Sequence, residues 1–550
     1  MRRRVGPQWL SILALVAAAA CNRPPAPVSR EVAPTRGYVL ISIDTLRADH
    51  LGLYGYQRPT SPFLDSLATR AAVFEHAIVQ LPGTLPSHMS IFTSLYPPEH
   101  GVYPPDGILA ADTPTLPEVL QRNGFRTAGF TEGGYMAGRF GFARGFDEFD
   151  DDVPKRTTDI ETTCARGLRF LTSLDAQQRF FLFLHTYVVH DPYRPPERYR
   201  AMFAPAAPPP QAFAPTGPNF TRFNHGHGMI SAEARDYYRA LYDAEIRYMD
   251  DVLKRFFDEL ARLGLDDETT VVVTSDHGEE FLEHGKMVHE QLYHEVLRVP
   301  LLIVHPDPAT RGRIDAVVQS IDIAPTLYAI ADVPAPARMS GASLVPYLAG
   351  QREPLRRDAY AEAFVSRDRA VYRAAGPDLH HLIVRRPGDP GAVWVGRSVV
   401  FDWPDGSEEV AARPFHAARR VRIAVNDALL TELVLEPNRW SPLPLGDVPR
   451  GTPSLITLTA DDCVAPSSVS SSRDDRCLAF QLRGTTAAHR ELYDVRQDQA
   501  EQRDLAGTRR ELTRELEQLL MSHQPRPVAA TTQELDPALK ERLRSLGYDH

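Results

Sequence analysis

Up to about residue 365, short apolar runs of strand-like composition alternate with helical patterns. One helical pattern begins after Ser231, a suitable N-cap residue, and repeats apolar side chains such as Ile246 and Met249 every three or four positions. This alternation predicts an α/β fold in which helices cover both faces of a mostly parallel sheet. The predicted strands are 38–43, 126–131, 180–186, 271–274 and 301–305.

The pattern changes after about residue 388, where short alternating runs are separated by Pro, Gly, Asn and Asp. This pattern is typical of β-structure and predicts an all-β, β-sandwich-like insert at 389–488. An amphipathic segment at 509–521 and another near the carboxyl terminus indicate helices. We therefore assign 37–365 to a main domain, and 366–388 with 489–550 to a small carboxyl-terminal subdomain.

The first 36 residues have the pattern of an export signal and a tether. Arg2, Arg3 and Arg4 precede an apolar segment that is too short to span a bilayer, so 1–20 is predicted to be a signal peptide and Pro-rich 21–36 a tether. The AAAAC ending resembles a bacterial lipoprotein signal with Cys21 as the lipidated residue, while Ala18 in the usual place of Leu leaves ordinary cleavage open. We expect an exported protein of the bacterial cell envelope, in the periplasm or at the cell surface, anchored to the membrane by lipid.

Composition narrows the functional classes. A length of 550 residues with 43% hydrophobic content predicts more than one core. The formal charge of -10 and the pI near 6.0 argue against sequence-independent nucleic-acid binding, which needs clustered positive charge. Cys463 and Cys477 bracket a Ser-rich loop that could close as a disulfide, whereas Cys164 falls on an apolar helical stripe and is predicted to be a buried thiol.

Residues with chemical potential follow two of the predicted strands. Asp44 comes directly after 38–43, and Asp276 and His277 come soon after 271–274. Thr84 lies on a Pro-flanked turn ahead of an apolar helical run. By itself, Asp44 would be interpreted as a helix cap, and His277 as a core histidine. Their shared position changes this interpretation, because ligands gather at the carboxyl ends of parallel strands. A hydroxyl, two carboxylates and an imidazole together predict a metal site.

Five segments in series resemble the signatures of the sulfatase family, within the alkaline phosphatase superfamily. The resemblance implies an alkaline-phosphatase-like fold and a metal-dependent ester hydrolase or phosphotransferase. It covers about 38–361 and 491–506 and leaves out the insert. The segments are IDTLRADHLGLYGY, TLPSHMSIFTSLYPPEHGV, FLHTYVVHDPY, SDHGEEFLEHGK with LYHEVLRVPLLI, and ELYDVRQDQAEQRDLA.

The resemblance also implies a role for each matching residue. Asp44, Thr84, Asp276 and His277 would ligate a divalent metal, and Thr84 would be the nucleophile. His190 would face the leaving oxygen. His88 stands where the family usually has Arg. The expected contacts to the oxygens of a sulfate or phosphate group are His88, Lys286 and His289.

Two departures from the family pattern change the expected chemistry. Sulfatases resembling this chain carry Cys or Ser where Thr84 stands, and oxidation converts that residue to formylglycine. Oxidation of Thr84 would give a ketone, so no formylglycine is expected. The superfamily members that use an unmodified Thr or Ser act on phosphate esters, and the same substrates are expected here. Calcium-dependent sulfatases have Asp where Thr45 stands and Asn where His277 stands. With fewer oxygen ligands and one imidazole, the site is expected to bind Mn²⁺ or Zn²⁺, and Ca²⁺ or Mg²⁺ is the alternative.

Three functional hypotheses follow. The first is a hydrolase of phosphate mono- or diesters that uses unmodified Thr84. The alternative is a sulfuric ester hydrolase, and the second alternative is a catalytically silent, glycan-binding surface protein with the β insert as its recognition module. The expected partners are a phosphorylated or sulfated small molecule, lipid or glycan, and a membrane through lipidated Cys21, with no nucleic acid.

Overall fold

The computed structural model describes residues 31–550 apart from 152–159, 211, 225–226, 228, 352–357, 365, 367, 386–392, 396–397, 404–409, 415–416, 427, 438, 446–447, 449–453, 463–479, 484–488, 547 and 549–550. The predictions for the signal peptide, for lipidation of Cys21 and for a disulfide between Cys463 and Cys477 lie outside this part of the chain. Among the described helices, none combines the length and the apolar composition that crossing a membrane requires.

The amino-terminal part of the chain alternates strands with helices, as the sequence predicts. The elements are β1 (Gly37–Ile43), α1 (Pro62–Leu67), β2 (Ala71–Ile78), α2 (Thr84–Thr93), α3 (Pro97–His100), β3 (Gly107–Ile108), α4 (Leu116–Arg122), β4 (Arg126–Phe130), β5 (Glu148–Asp150), α5 (Ile160–Thr172), β6 (Phe180–Thr186), α6 (Glu197–Phe203), α7 (Gly217–Asn224), α8 (Ala232–Arg262), β7 (Thr269–Ser275), β8 (Glu280–Phe281), β9 (Met287–Val288), α9 (His294–Leu297), β10 (Arg298–Val304), β11 (Gly312–Gln319), α10 (Ile323–Ile330) and α11 (Val345–Leu348).

Eight of these strands form one sheet in the order β11-β2-β10-β7-β1-β6-β4-β5. Strand β10 runs antiparallel to both of its neighbours, and the other pairs are parallel. All five predicted strands are present in this sheet, and β2, β5 and β11 are additions to the prediction. The mostly parallel α/β sheet predicted from the sequence is therefore confirmed.

The two faces of this sheet bury two separate apolar clusters. Along β1, Tyr38 and Leu40 belong to one cluster and Val39 and Ile41 to the other, because successive side chains of a strand point to opposite faces. Helix α2 packs on the first face, while α8 and buried Cys164 of α5 pack on the second. The oxygen of the Ser231 side chain caps α8 by accepting a hydrogen bond from the Ala234 N–H at 3.2 Å.

The carboxyl-terminal part is mainly β-structure. Its largest sheet has the order β12-β13-β14-β23-β16-β21-β18-β19, and a smaller one has the order β15-β22-β17-β20. Because β16 pairs with β23, strands of the predicted insert continue the sheet of the subdomain; the domain boundaries themselves stay predictions. The elements are β12 (Ala359–Glu362), β13 (Arg369–Ala375), β14 (Asp378–Arg385), β15 (Val393–Val395), β16 (Ser398–Trp403), β17 (Ala411–Pro414), β18 (Arg419–Val425), β19 (Ala428–Leu435), β20 (Ser441–Pro442), β21 (Ser454–Ala460), β22 (Phe480–Arg483), β23 (His489–Asp494), α12 (Arg510–Ser522), β24 (Thr531–Thr532) and α13 (Pro537–Ser545).

Candidate active site

The carboxyl ends of three adjacent parallel strands meet at one edge of the main sheet. Ile43 at the end of β1 is in register with Thr186 of β6 on one side and with Ser275 of β7 on the other. The residues that follow β1 and β7 therefore emerge side by side. Asp44, Asp276 and His277 are all buried, and each offers a ligand atom within 4.8 Å of the others.

The turn after β1 is strained and is held by α8. Thr45 has a φ of 54°, which is unusual for a β-branched residue. The Tyr242 hydroxyl of α8 donates a hydrogen bond to the Thr45 carbonyl at 2.7 Å and accepts one from the Arg47 N–H at 2.9 Å. These contacts fix the direction in which Asp44 leaves the sheet.

His277 is held by a close approach between two backbone segments. A Cβ at Gly278 would lie 2.0 Å from the carbonyl oxygen of Glu295, so only glycine fits there. The His277 Nδ1–H donates to the Gly278 carbonyl at 3.0 Å, which leaves the Nε2 lone pair available. Burial lowers the pKa of His277 to about 3 and keeps the ring neutral.

Thr84 is the first residue of the buried helix α2. Its Oγ1 donates a hydrogen bond to Asp44 Oδ2 at 3.1 Å. The Ser87 hydroxyl donates to the Asp276 carbonyl at 2.7 Å and so ties the first turn of α2 to the end of β7. Because the first N–H groups of a helix and its dipole favour negative charge, this hydroxyl lies where an anionic group is stabilised.

Three ligand atoms at this edge have no hydrogen-bond partner among the described residues. They are Asp44 Oδ1, Asp276 Oδ2 and His277 Nε2. Burial raises the pKa of Asp44 to about 6, and burial together with the nearby Asp44 charge raises that of Asp276 to about 7. Unpaired buried oxygens of this kind are costly. Two carboxylate oxygens and one imidazole nitrogen are a donor set that suits a transition-metal or zinc ion, so the residues fit the predicted metal.

His190 is a buried histidine with a raised pKa. Its Nδ1–H donates to the Asp191 carbonyl at 2.6 Å. Burial opposes the charged ring, but the carboxyls of Asp191, Asp44 and Glu279 outweigh burial and raise the pKa of His190 to about 9. An imidazolium that has Nε2–H directed into the site is a suitable proton donor.

The structure places the predicted site residues His289 and Lys286 in different surroundings. The ring of His289 lies 4.3 Å from that of His277 and 5.9 Å from that of His190, between centroids, so His289 belongs to the site. The Nζ of Lys286 pairs with Glu290 at 2.6 Å, its side chain is 40% exposed, and no contact described in the structure joins it to Thr84, Asp44, Asp276 or His277. An anion contact from Lys286 is therefore unsupported by this geometry.

His88 lies beneath the site. Its ring nitrogens contact the Thr84 carbonyl, through Nδ1 at 2.9 Å, and the Ser42 hydroxyl, through Nε2 at 2.8 Å. Burial lowers the pKa of His88 to about 4, so the ring is neutral. Instead of offsetting charge on a bound group, as expected from the sequence, His88 holds the first turn of α2 against β1.

Three residues in the site were missed by the sequence reasoning. His185, at the end of β6, has its Nε2 3.4 Å from Asp44 Oδ2. Neither carboxyl oxygen of buried Glu279 makes a hydrogen bond of ordinary geometry within the described structure. The phenol of Tyr548 lies 2.8 Å from Thr84 Oγ1 and 3.2 Å from His190 Nε2. His185 and Glu279 lie within the family signatures, which is the signal that could have found them, whereas Tyr548 lies beyond every signature.

A mostly parallel sheet, with a hydroxyl and three side chains that could ligate a metal at the carboxyl ends of its strands, indicates an alkaline-phosphatase-like fold. Comparison with solved structures agrees with this fold. One structure, described as a complex with its substrate D-glucosamine-2-N,6-O-disulfate, has a TM-score of 0.59 at 17% identity over 90% of this chain and 98% of that one. The phosphonate monoester hydrolase of Agrobacterium radiobacter has a TM-score of 0.57 at 16% identity over 91% and 100%.

The family follows from the sequence comparison. The model of the sulfatase family matches residues 36–333, and the chain belongs to this family. Arylsulfatase K of Xenopus laevis is 26% identical over 332 residues, which is 52% of this chain. The match spans 61% of the length of that relative. The family prediction is thus confirmed.

Proposed function

We propose that this chain is a metal-dependent hydrolase of phosphate mono- or diesters that uses Thr84 unmodified as its nucleophile. The observation that carries the proposal is the placement of the Thr84 hydroxyl, which lies 3.1 Å from Asp44 Oδ2 at the start of buried helix α2. The Thr84 Cβ bears a methyl group, so its oxidation cannot give the aldehyde of formylglycine, and the hydroxyl itself has to attack. Hydroxyl nucleophiles act through covalent intermediates when a neighbouring base or metal activates them.

Asp44, Asp276 and His277 would hold a divalent cation together with Thr84. The imidazole favours manganese or zinc over calcium or magnesium, which prefer oxygen ligands. A cation bound there supplies Lewis acidity, which lowers the pKa of the adjacent hydroxyl and offsets charge on a non-bridging oxygen.

The residues of the chain account for the other parts of the reaction. Thr84 Oγ1 passes its proton to Asp44 Oδ2, the acceptor of its hydrogen bond, and bonds to phosphorus while the bond from phosphorus to the leaving oxygen breaks. The leaving oxygen takes a proton from Nε2 of His190, whose pKa of about 9 keeps it charged at neutral pH. Water then attacks phosphorus and gives a proton to the His190 imidazole, the bond to Thr84 breaks as Oγ1 takes its proton back from Asp44, and phosphate or a phosphate monoester is released.

A second candidate is a sulfuric ester hydrolase, which the arylsulfatase relatives support equally. The attack by Thr84 and the proton from His190 would be the same, with sulfur in place of phosphorus. For either reaction we propose a phosphorylated or sulfated small molecule, glycan or lipid as substrate. The signal-like residues 1–20 and Cys21 support an exported, lipid-anchored envelope protein.

A panel of esters tests the proposal. Aryl sulfate, phosphate monoester and phosphate diester are offered with manganese, zinc or calcium to the wild type, Thr84→Ala and the matched variant Thr84→Ser. We expect faster turnover of a phosphate ester than of the sulfate, loss of turnover in Thr84→Ala and partial retention in Thr84→Ser. Preference for the sulfate would establish the second candidate. Glycan binding without turnover, unchanged in Thr84→Ala, would establish a silent surface protein.

A further inference from the structure

The carboxyl-terminal segment returns to the catalytic edge of the main sheet, far from Thr84 in sequence. Strand β24 pairs with β3, and α13 follows it. Beyond α13, the Tyr548 N–H donates to the Leu543 carbonyl at 3.0 Å, which turns the chain toward the site. The Tyr548 phenol then contacts two groups that the proposed reaction uses, Thr84 Oγ1 at 2.8 Å and His190 Nε2 at 3.2 Å.

This segment is anchored in the core of the main domain. Leu543 and Leu546 are 1% and 2% exposed and belong to the main apolar cluster. Gly134 makes room for Leu546, because a Cβ there would lie 2.5 Å from Leu546 Cδ1, and its φ is +61°. The Arg542 guanidinium donates to the Glu132 carbonyl at 2.9 Å. Withdrawal of the segment would return two buried leucines to water, so the segment is a fixed wall of the site and not a displaceable plug.

The phenol of Tyr548 has a fixed direction within this wall. Its ring meets the Tyr135 ring edge to face, with centroids 4.6 Å apart. The phenol has one O–H that it can donate to an oxygen of a bound group. A transferred group must contact Thr84 Oγ1 and place its leaving oxygen near His190 Nε2, the same two atoms that the phenol contacts.

We propose that Tyr548 is a catalytic residue whose phenol donates a hydrogen bond to an oxygen of the phosphoryl or sulfuryl group as that group passes to Thr84. This inference rests on the proposed function and adds Tyr548, which follows α13, to the residues that carry out the reaction. Such a contact strengthens as charge develops on the transferred oxygens, so it contributes to turnover as well as to binding. The shared chemistry is a tetrahedral oxyanion, and both esters present it.

Binding of inorganic phosphate and of sulfate tests the contact without requiring turnover. The full chain loaded with manganese is titrated with each anion by calorimetry, as wild type, as Tyr548→Phe and as a control that lacks only residues 549–550. We expect Tyr548→Phe to weaken binding of the preferred anion about tenfold, the value of a hydrogen bond to a charged group, and the control to match the wild type. Thermal unfolding of Tyr548→Phe should be unchanged, since the ring still packs on Tyr135.

Steady-state kinetics on the ester that the wild type turns over gives a second measurement. We expect Tyr548→Phe to lower kcat by at least about tenfold with a smaller change in KM. Anion binding or kcat in Tyr548→Phe at or above the wild-type value would overturn the inference, as would a wild type that binds neither anion. A wild type that binds an anion more tightly than Tyr548→Phe but hydrolyses no ester would refute the proposed function alone.

Discussion

Two buried clusters of carboxylates differ in how their polar atoms are paired. Near β23, Glu491 accepts hydrogen bonds from Arg385 Nε at 2.8 Å and from the hydroxyls of Tyr293 and Tyr493 at 2.8 and 3.0 Å. At the edge of the main sheet, Asp44 Oδ1 and Asp276 Oδ2 have no such partner among the described residues. Both clusters are removed from water, so burial alone does not distinguish them.

The difference appears in the direction of the pKa shifts. Burial raises the pKa of Glu491, but Arg385 and His489 outweigh burial and hold it well below its usual range. For Asp276, burial and the charge of Asp44 act together and raise the pKa to about 7. A cluster that satisfies its own charges stabilises the fold, whereas one that leaves like charges facing each other is prepared for a cation.

The largest expected effect comes from a change in the unpaired cluster, which is the pair of buried carboxylates Asp44 and Asp276. Asp276→Asn removes one proposed metal ligand and should lower kcat/KM by about 10⁴-fold, since the Lewis acid contributes several kcal/mol to the transition state. The same change relieves repulsion between two buried carboxylates, so the melting temperature in the presence of a chelator should stay the same or rise. Steady-state kinetics and thermal unfolding measure the two effects. A lower melting temperature without metal would make Asp276 a structural residue like Glu491.

His190 tests whether the charged group beside the unpaired cluster is the proton donor. His190→Ala should lower kcat by about 10²-fold or more for an alkyl ester, the value of general acid catalysis, without unfolding the chain. The loss should be smaller for a nitrophenyl ester, whose leaving group needs little protonation. His227→Ala, at an exposed position, is the control. Equal losses for the two esters would exclude the acid role.

A substitution of Glu491 tests the paired cluster, which is Glu491 with its partners Arg385, Tyr293 and Tyr493. Glu491→Gln removes one of two carboxylate partners of the half-buried Arg385 guanidinium, the other being Asp368 at 3.1 Å, and should lower the free energy of unfolding by about 2 kcal/mol, the value of a hydrogen bond to a charged group. The kcat of the folded fraction should be unchanged, because none of the contacts that the structure describes for Glu491 reaches the active site. Denaturant unfolding and kinetics on the same preparation measure both quantities. Asp315→Asn is the matched control, since its pair with Arg496 is 57% exposed on the carboxylate side and should contribute less than about 1 kcal/mol.

The sequence predicts the centre of the main sheet better than its edges. Strands β1, β6 and β7 are continuous apolar runs because both of their faces are buried. Strand β11 lies at one edge and carries exposed Arg313 and Asp315, which interrupt the apolar pattern and hide the strand.

The site residues, like the strands, could be predicted only where the sequence carries a clear local pattern. Asp44, Asp276 and His277 were predicted because each follows a recognisable strand, and parallel strands end at a common edge. Lys286 was included because it stands within a family signature, but it lies on the turn between β8 and β9 and pairs with Glu290. Tyr548 was missed because it is 464 residues from Thr84, and only the packing of Leu543 and Leu546 brings it to the site.

The smallest predicted effect concerns the protons of the unpaired cluster. The folded-state pKa values of Asp44 and Asp276, about 6 and 7, lie above the ordinary value of 3.8. Between about pH 4 and 7 the metal-free folded state therefore holds more protons than the unfolded state, and its stability should fall as the pH rises through this window. Thermal unfolding with a chelator across this pH range measures the trend.

Binding of manganese must displace these protons, since a carboxylate ligates metal only when ionised. Calorimetric titration at pH 6 in two buffers of different ionisation enthalpy should show release of about one proton per metal bound, and almost none at pH 8. Asp276→Asn should release fewer protons at pH 6, while Glu491→Gln should behave as the wild type, because the pKa of Glu491 lies well below this range. Equal proton release at pH 6 and pH 8 would show that the two carboxylates are already ionised in the metal-free protein, and the contrast between the two clusters would then rest on hydrogen bonding alone.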